Sequence, residues 1–190
     1  MWFLVRFYPM CKRILVASDT HGSIASLTAV LIWANDVAPN AAVFLGDGLG
    51  DLEKATAYAG FSCPWQKVRG NNDFGFPYHE AVVFDFEEHR FFLCHGHRYG
   101  LYSGMDTLVA AAHNNGANVA LFGHTHIPFF DEVNGVLLLN PGSVGSPRSH
   151  AGATFAIIEC LPGEPPKPEF WGIDSTGMIS AVTVGNSLWT

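Results

Sequence analysis

Arg13-Ile14-Leu15-Val16-Ala17-Ser18-Asp19-Thr20-His21-Gly22 runs from five strand-forming residues straight into an aspartate and a histidine two positions apart. Ser23 then stands as an N-cap, and Ile24, Leu27, Leu31 and Ala34 recur at helical spacing up to about Val37. Strand, polar turn and helix follow one another within this short span. The pattern returns downstream. Ala42–Leu45 enters Gly46-Asp47-Gly48-Leu49-Gly50-Asp51 ahead of a helical Leu52–Ala59, and Gln66–Arg69 enters Gly70-Asn71-Asn72-Asp73. Three strands separated by two helices imply parallel pairing with right-handed crossovers.

The middle of the chain changes character. Ala81–Phe86 and His89–Cys94 flank Glu87-Glu88, and Phe129–Val133 and Val136–Leu139 flank Asn134-Gly135; both read as antiparallel hairpins. Between them, Ser103–Asn115 has a helical face of Met105, Leu108, Val109 and Ala112, with Gly116 as its stop, and Val119–Phe122 reads as a strand. Ala153–Cys160 and Pro168–Ile173 are read as further strands. Mixed pairing of this kind suits an α/β protein with two packed sheets better than one doubly wound sheet.

Each apolar run leads into residues of the types that bind metal: Asp19 and His21, Asp47, Asn71, His95 in Cys94-His95-Gly96-His97, and His124 and His126 in Gly123-His124-Thr125-His126. Ligands gather at the carboxyl ends of strands in open α/β sheets. Residues 24 to 29 positions apart in sequence are therefore expected on one edge. Carboxylate, amide and imidazole donors without cysteine suit hard-to-borderline divalent ions. Singly, each has a bland explanation: Asp19 as a helix cap, Asp47 as a turn aspartate, His95 as a core histidine. Together, in order, those explanations fail.

At 190 residues the chain suits one domain over 1–190, with residues 1–11 as an N-terminal extension. Charged residues are 14% of the composition, against about 25% in typical globular domains. The net charge of −7 argues against a long nucleic-acid partner, which needs a basic footprint. Low charge leaves room for a homodimer. Cys11, Cys63, Cys94 and Cys160 show no paired spacing, which suits free thiols in a reducing compartment and hence the cytoplasm. Met1–Tyr8 is apolar but lacks a cleavage site, and no run is long enough for a bilayer span, so no membrane partner is expected.

The ordered set D-x-H, G-D-x-x-x-D, G-N-x-D, H-G-H and G-H-T-H resembles the calcineurin-like metallophosphoesterases, in particular their small single-domain bacterial and archaeal phosphodiesterases. The likeness runs from about Ile14 to Cys160 and includes Asn140-Pro141-Gly142-Ser143-Val144. It implies a four-layer α/β/β/α sandwich and a dinuclear-metal phosphoesterase, a phosphodiesterase more than a monoesterase. By this resemblance Asp19, His21 and His126 hold one ion, Asp47 bridges, and Asn71, His95 and His124 hold the second. Mn²⁺ is the favoured ion, with Zn²⁺, Fe²⁺, Co²⁺ or Ni²⁺ as alternatives. The resemblance further implies that a metal-bridging water or hydroxide would attack a small phosphate ester, with no protein nucleophile needed.

Further roles are assigned around this set. Asn72 stands where many relatives carry a histidine after the asparagine; an amide cannot be a general acid, so its expected role is a phosphate contact. Asp73 is expected to accept hydrogen bonds behind the ligands, and Arg148 to reach a substrate phosphate. Two other readings compete: a non-catalytic interaction scaffold of the same fold, and a metal-dependent nuclease or nucleotide phosphatase. A scaffold need not keep seven ligands, and this chain keeps them all.

Overall fold

The computed structural model describes residues 11–184. The stretch read as an N-terminal extension lies outside the described residues except for Cys11. In chain order the elements are β1 (Lys12–Ala17), α1 (Ile24–Val37), β2 (Ala41–Phe44), α2 (Leu49–Ala59), β3 (Trp65–Lys67), β4 (Ala81–Phe86) and β5 (His89–Cys94). A 3₁₀ turn (Leu101–Ser103), α3 (Asp106–Asn114), β6 (Val119–Leu121), β7 (Pro128–Val133), β8 (Val136–Pro141), β9 (Ala153–Cys160), β10 (Lys167–Ile173) and β11 (Ile179–Val182) complete them.

The strands form two mixed sheets, ordered β11-β10-β9-β1-β2-β3 and β4-β5-β6-β8-β7. In the first, β1, β2 and β3 are parallel, as the strand–helix alternation predicts. In the second, β5, β6 and β8 are parallel, and the two hairpins flank them. Side chains alternate across each strand with period two. Ile14, Val16, Val43, Phe91, Leu93, Val119, Leu121, Leu139, Ala156 and Ile158 point between the sheets into one core. Leu15, Ala17, Phe44, Phe155 and Ile157 face α1 and α2 on the other side of the first sheet. Phe92, Cys94, Ala120, Phe122 and Leu138 face α3. The layers are therefore α/β/β/α. Strands buried on both faces explain why these runs are apolar throughout instead of alternating with polar residues.

Local differences from the sequence reading have physical causes. Ser23 makes no side-chain cap bond; its hydroxyl donates to Ser26 Oγ at 2.7 Å, and α1 starts uncapped. α2 begins at Leu49, three residues earlier than its apolar spacing indicates, because the Leu52 N–H already reaches the Gly48 carbonyl at 2.9 Å. The helix expected over Ser103–Asn115 is split: Gly104, at φ 134° and ψ 175°, separates the 3₁₀ turn from α3. β11 was not anticipated, since Ile179–Val182 is short and owes its conformation to pairing with β10.

Candidate metal centre

β1, β2 and β3 run parallel in one sheet and β5 and β6 in the other, and residues beyond their carboxyl ends come together at one edge of the sandwich. The loops there are pressed together. Asp19 N–H donates to the Gly46 carbonyl at 3.0 Å and Thr20 N–H to the Asp47 carbonyl at 3.0 Å, bracing the first loop on the second. A Cβ on Gly70 would lie 2.0 Å from Asp47 Oδ1, and one on Gly123 would lie 2.6 Å from Asp19 Oδ2. Only glycine permits these approaches.

Two groups of donor atoms result, Asp19–His21–His126 and Asp19–Asp47–His95, each with its ligand atoms within 4.8 Å of one another. Asp19 Oδ1 belongs to both. It lies 3.1 Å from His126 Nε2, 3.6 Å from His21 Nε2 and 3.9 Å from His95 Nε2. Asp47 Oδ2 lies 3.4 Å from His95 Nε2 and 3.7 Å from His21 Nε2, between the histidines of the two groups. His124 stands beside them, its ring 5.2 Å from that of His95. Asn71 is exposed at the lip of the loop after β3, where it lines an adjacent cleft.

The surroundings orient each ligand atom. Asp19 Oδ2 accepts from Ser18 Oγ at 2.5 Å and from the His124 N–H at 3.1 Å, which turns Oδ1 inward. Asp47 accepts from the Asn72 backbone at 2.8 Å and from its amide at 2.5 Å. His95 Nδ1 is 2.7 Å from the Leu45 carbonyl and His126 Nδ1 is 2.6 Å from the Ser146 carbonyl. A carbonyl can only accept, so both Nδ1 atoms carry the proton and both Nε2 atoms present lone pairs. His126 Nε2 and His21 Nε2 face each other at 3.1 Å. Asp19 Oδ1 and His95 Nε2 are buried and make no hydrogen bond. Buried oxygen and nitrogen lone pairs converging without a proton donor cost free energy, and a divalent cation supplies what they lack. The donor set fits.

Charge at the site follows from the same crowding. Burial raises the Asp19 and Asp47 carboxyl pKa values, but neighbouring imidazoles outweigh it and hold both below the ordinary carboxylate value. Contact with Asp19 raises the His21 pKa; burial lowers that of His95, yet Asp47 and Asp19 raise it overall. His124 goes the other way. Burial, then the charge of His95, brings it down to about 4, so it is neutral at pH 7.

A supporting layer lies behind these residues. Asp73 accepts four backbone N–H groups, from Asp47 (2.7 Å), Gly48 (2.9 Å), Leu49 (2.9 Å) and Gly70 (2.8 Å), tying the second loop to the third. Asp51 accepts from Thr20 Oγ1 and the Gly22 N–H, both at 2.7 Å. Asn140 donates to the Gly123 carbonyl at 2.8 Å, and Ser143 Oγ donates to the Asp19 carbonyl at 2.7 Å. Sequence reasoning noted the Asn140–Val144 segment but gave these two side chains no role; their position beyond an apolar run was the available signal. Arg148 Nη1 lies 3.3 Å from Tyr102 Oη, and the Tyr102 ring is 6.0 Å from that of His124.

A four-layer sandwich with carboxylates and imidazoles gathered at its strand ends is the architecture of a metal-dependent phosphoesterase. The chain belongs to the family described as the calcineurin-like phosphoesterase superfamily domain, whose model matches residues 13–162. It is 29% identical over 146 residues to the probable metallophosphoesterase YsnB of Bacillus subtilis, covering 77% of this chain and 83% of that protein. It is 26% identical over 171 residues to the phosphodiesterase YfcE of Escherichia coli K12, covering 77% and 87%. Among solved structures it is similar to a predicted phosphoesterase of Streptococcus pneumoniae, with TM-score 0.74, 25% identity and coverage of 91% and 98%. It also shares its fold with Vacuolar Protein Sorting 29 of Cryptosporidium parvum, with TM-score 0.73, 18% identity and coverage of 90% and 96%. All four cysteines are free, and among the described residues no helix is long and apolar enough to cross a membrane.

Proposed function

We propose that this chain is a cytoplasmic one-domain phosphodiesterase that holds two divalent ions, Mn²⁺ in preference to Zn²⁺, Fe²⁺, Co²⁺ or Ni²⁺, and hydrolyses a small phosphate diester. The observation that carries this reading is the pair of buried, unpartnered donor atoms, Asp19 Oδ1 and His95 Nε2, at the shared strand edge. In this reading Asp19, His21 and His126 would hold one ion, Asn71, His95 and His124 the other, and Asp47 would be shared by both. When bound, the ions supply a nucleophilic water at neutral pH and neutralise charge on the phosphoryl oxygens.

The chain's own residues orient and position. Leu45 and Ser146 carbonyls hold the His95 and His126 rings in the ligating tautomer. Asn72 holds Asp47 through its backbone and its amide, and in this reading the second N–H of that amide donates to a phosphoryl oxygen. Because it cannot protonate a leaving group, good leaving groups are favoured. In this reading Arg148, 3.3 Å from Tyr102 Oη, reaches a substrate phosphate. The name of the Escherichia coli relative supports diester over monoester chemistry.

The test is hydrolysis of bis(p-nitrophenyl) phosphate beside p-nitrophenyl phosphate, with metal-stripped protein titrated with Mn²⁺. Faster diester cleavage, dependent on metal and abolished by Asp47→Asn, is expected. Absence of both metal binding and turnover would overturn the reading in favour of an interaction scaffold.

A further inference from the structure

The loop after Asn71 holds a large apolar side chain in solvent. Phe74 is 85% exposed, more than any other large hydrophobic residue among those described. Nearby aromatics behave differently: Phe76 and Tyr78 pack against the core beneath α1 and α2, and Tyr99 meets Phe92 edge-on at 5.9 Å. Phe74 instead lines a cleft of about 280 Å³ together with Arg69, Asn71, Glu80 and His97. The cleft adjoins the candidate metal centre through Asn71 and Asp73, which are shared by both. A larger groove of about 550 Å³ along β10 and β11 shares no residue with that centre.

The remaining walls are polar. Glu80 Oε1 accepts from Arg69 Nη2 at 3.0 Å and from Arg98 Nη2 at 2.9 Å, while Oε2 lies 2.7 Å from Arg98 Nε. Two guanidinium groups thus share one carboxylate, and one of them, Arg69, stands on the cleft wall together with the Asp73 and Glu80 carboxylates. Both guanidinium groups retain unused N–H donors. His97 Nδ1 is buried without a hydrogen-bond partner. An aromatic face at the rim, donors and an acceptor along the walls, and a volume near the lower end of small-molecule sites (roughly 300–1,000 Å³) suit a flat ligand with apolar faces and a polar edge. An alkyl or lipid arm would find few apolar walls.

We propose that this cleft is the subsite for one ester arm of the substrate, and that the arm is a nucleoside. Its base stacks on Phe74 and turns its polar edge toward Arg69, Glu80 and His97. The inference rests on the phosphodiesterase reading for the ester bond but concerns a separate set of side chains.

Binding of adenosine 5′-monophosphate and of ribose 5-phosphate to the Mn²⁺-loaded protein, measured by calorimetry, separates the base from the sugar and phosphate. The nucleotide is expected to bind roughly 5- to 150-fold more tightly, the range for one stacked base. Phe74→Ala removes that gap and Phe74→Trp retains it. Equal affinities in the wild type, no binding of either compound, or a gap that survives Phe74→Ala would overturn the subsite. If the subsite fails while bis(p-nitrophenyl) phosphate is still cleaved, the phosphodiesterase reading stands. Base-dependent binding lost in Phe74→Ala would sustain the subsite even where bis(p-nitrophenyl) phosphate is not cleaved.

Discussion

Where β1, β2 and β6 end, five non-glycine residues stand in left-handed backbone: Asp19 (φ 57°), His21 (φ 44°), Asp47 (φ 56°), His124 (φ 68°) and His126 (φ 62°). At the opposite edge, where β2, β5 and β8 begin, three do: Ala38 (φ 50°), Glu87 (φ 51°) and Asn134 (φ 50°). The second group closes turns. Ala38 ends α1 with its N–H on the Ala34 carbonyl at 2.9 Å, and Glu87 and Asn134 reverse the two hairpins. The first group closes no hairpin. All five are candidate ligands, held by loops that brace one another. Left-handed backbone costs of order 1–3 kcal/mol per non-glycine residue, at the lower end for aspartate and histidine, and it persists only where the surroundings over-determine it. Positive φ thus serves chain reversal at one edge and the aiming of side chains at the other.

The sharpest way to break this comparison is His21→Gly. It removes a candidate ligand and the strain at once, together with the ring contact to His126 at 4.8 Å between centroids. Metal-dependent turnover is expected to fall by more than about 100-fold, beyond what loss of a supporting partner produces. At a pH above the raised His21 pKa, where the imidazole carries no charge to pair with Asp19, the metal-free protein should melt no lower than wild type, because relief of strain offsets the extra chain entropy of glycine. A metal-free melting point several degrees lower would show that the torsion is not strained.

Asp73→Asn probes the bracing behind the ligands. One carboxylate serves four N–H groups, and an amide has one oxygen to offer them. Metal affinity should drop roughly 10- to 100-fold, and stability by about 1–3 kcal/mol for each N–H left unsatisfied. Metal titration and urea unfolding would check both. Unchanged affinity would detach the bracing from the site.

The acid–base directions supply a third test. The pKa values of His21 and His95 lie above the free value of 6.5 in the metal-free fold. Their protonated forms therefore stabilise that fold fully below pH 6.5, and this contribution is lost as pH rises through the raised values. Metal binding requires the neutral imidazoles and runs the opposite way. The melting difference between Mn²⁺-loaded and metal-free protein should widen from about pH 6 to 8. At 100-fold excess of metal over its dissociation constant it would reach roughly 5–10 °C. A difference independent of pH would contradict the assignment of these imidazoles as ligands.

The smallest effect belongs to the far edge. Ala38→Gly should stabilise by about 0.5–1 kcal/mol, since glycine accepts the left-handed helix end without a Cβ clash. Turnover and metal affinity should not change. A loss of activity would mean that the two edges are mechanically coupled.

Much of this architecture was legible because burial on both faces leaves a plain mark. Apolar runs such as Ile14–Ala17, Val119–Phe122 and Val136–Leu139 show where the central strands lie, and Asn134-Gly135 shows one hairpin turn outright. β11 was not legible. Ile179–Val182 is an edge segment whose conformation depends on a partner. The failed cap at Ser23 shows the limit of local rules: its hydroxyl found a side-chain partner in Ser26. At the site, the order of residue types after each apolar run was readable, and the structure brings Asp19, His21, Asp47, His95 and His126 within one small volume. The exposure of Phe74 and the packing of Phe76 and Tyr78 were not readable, since all three lie in one loop of similar composition.

The sequence by itself determined the strand–loop–helix order, the family, and which donor types stand beyond each strand, because apolar period and residue chemistry are local properties of the chain. Tertiary structure alone decided which atoms face one another. The two sheets must pack before Ser18 and the His124 N–H can occupy Asp19 Oδ2, leaving Oδ1 to face His126 and His95. Contacts between residues 105 positions apart, such as His21 with His126, follow from how layers close over a core.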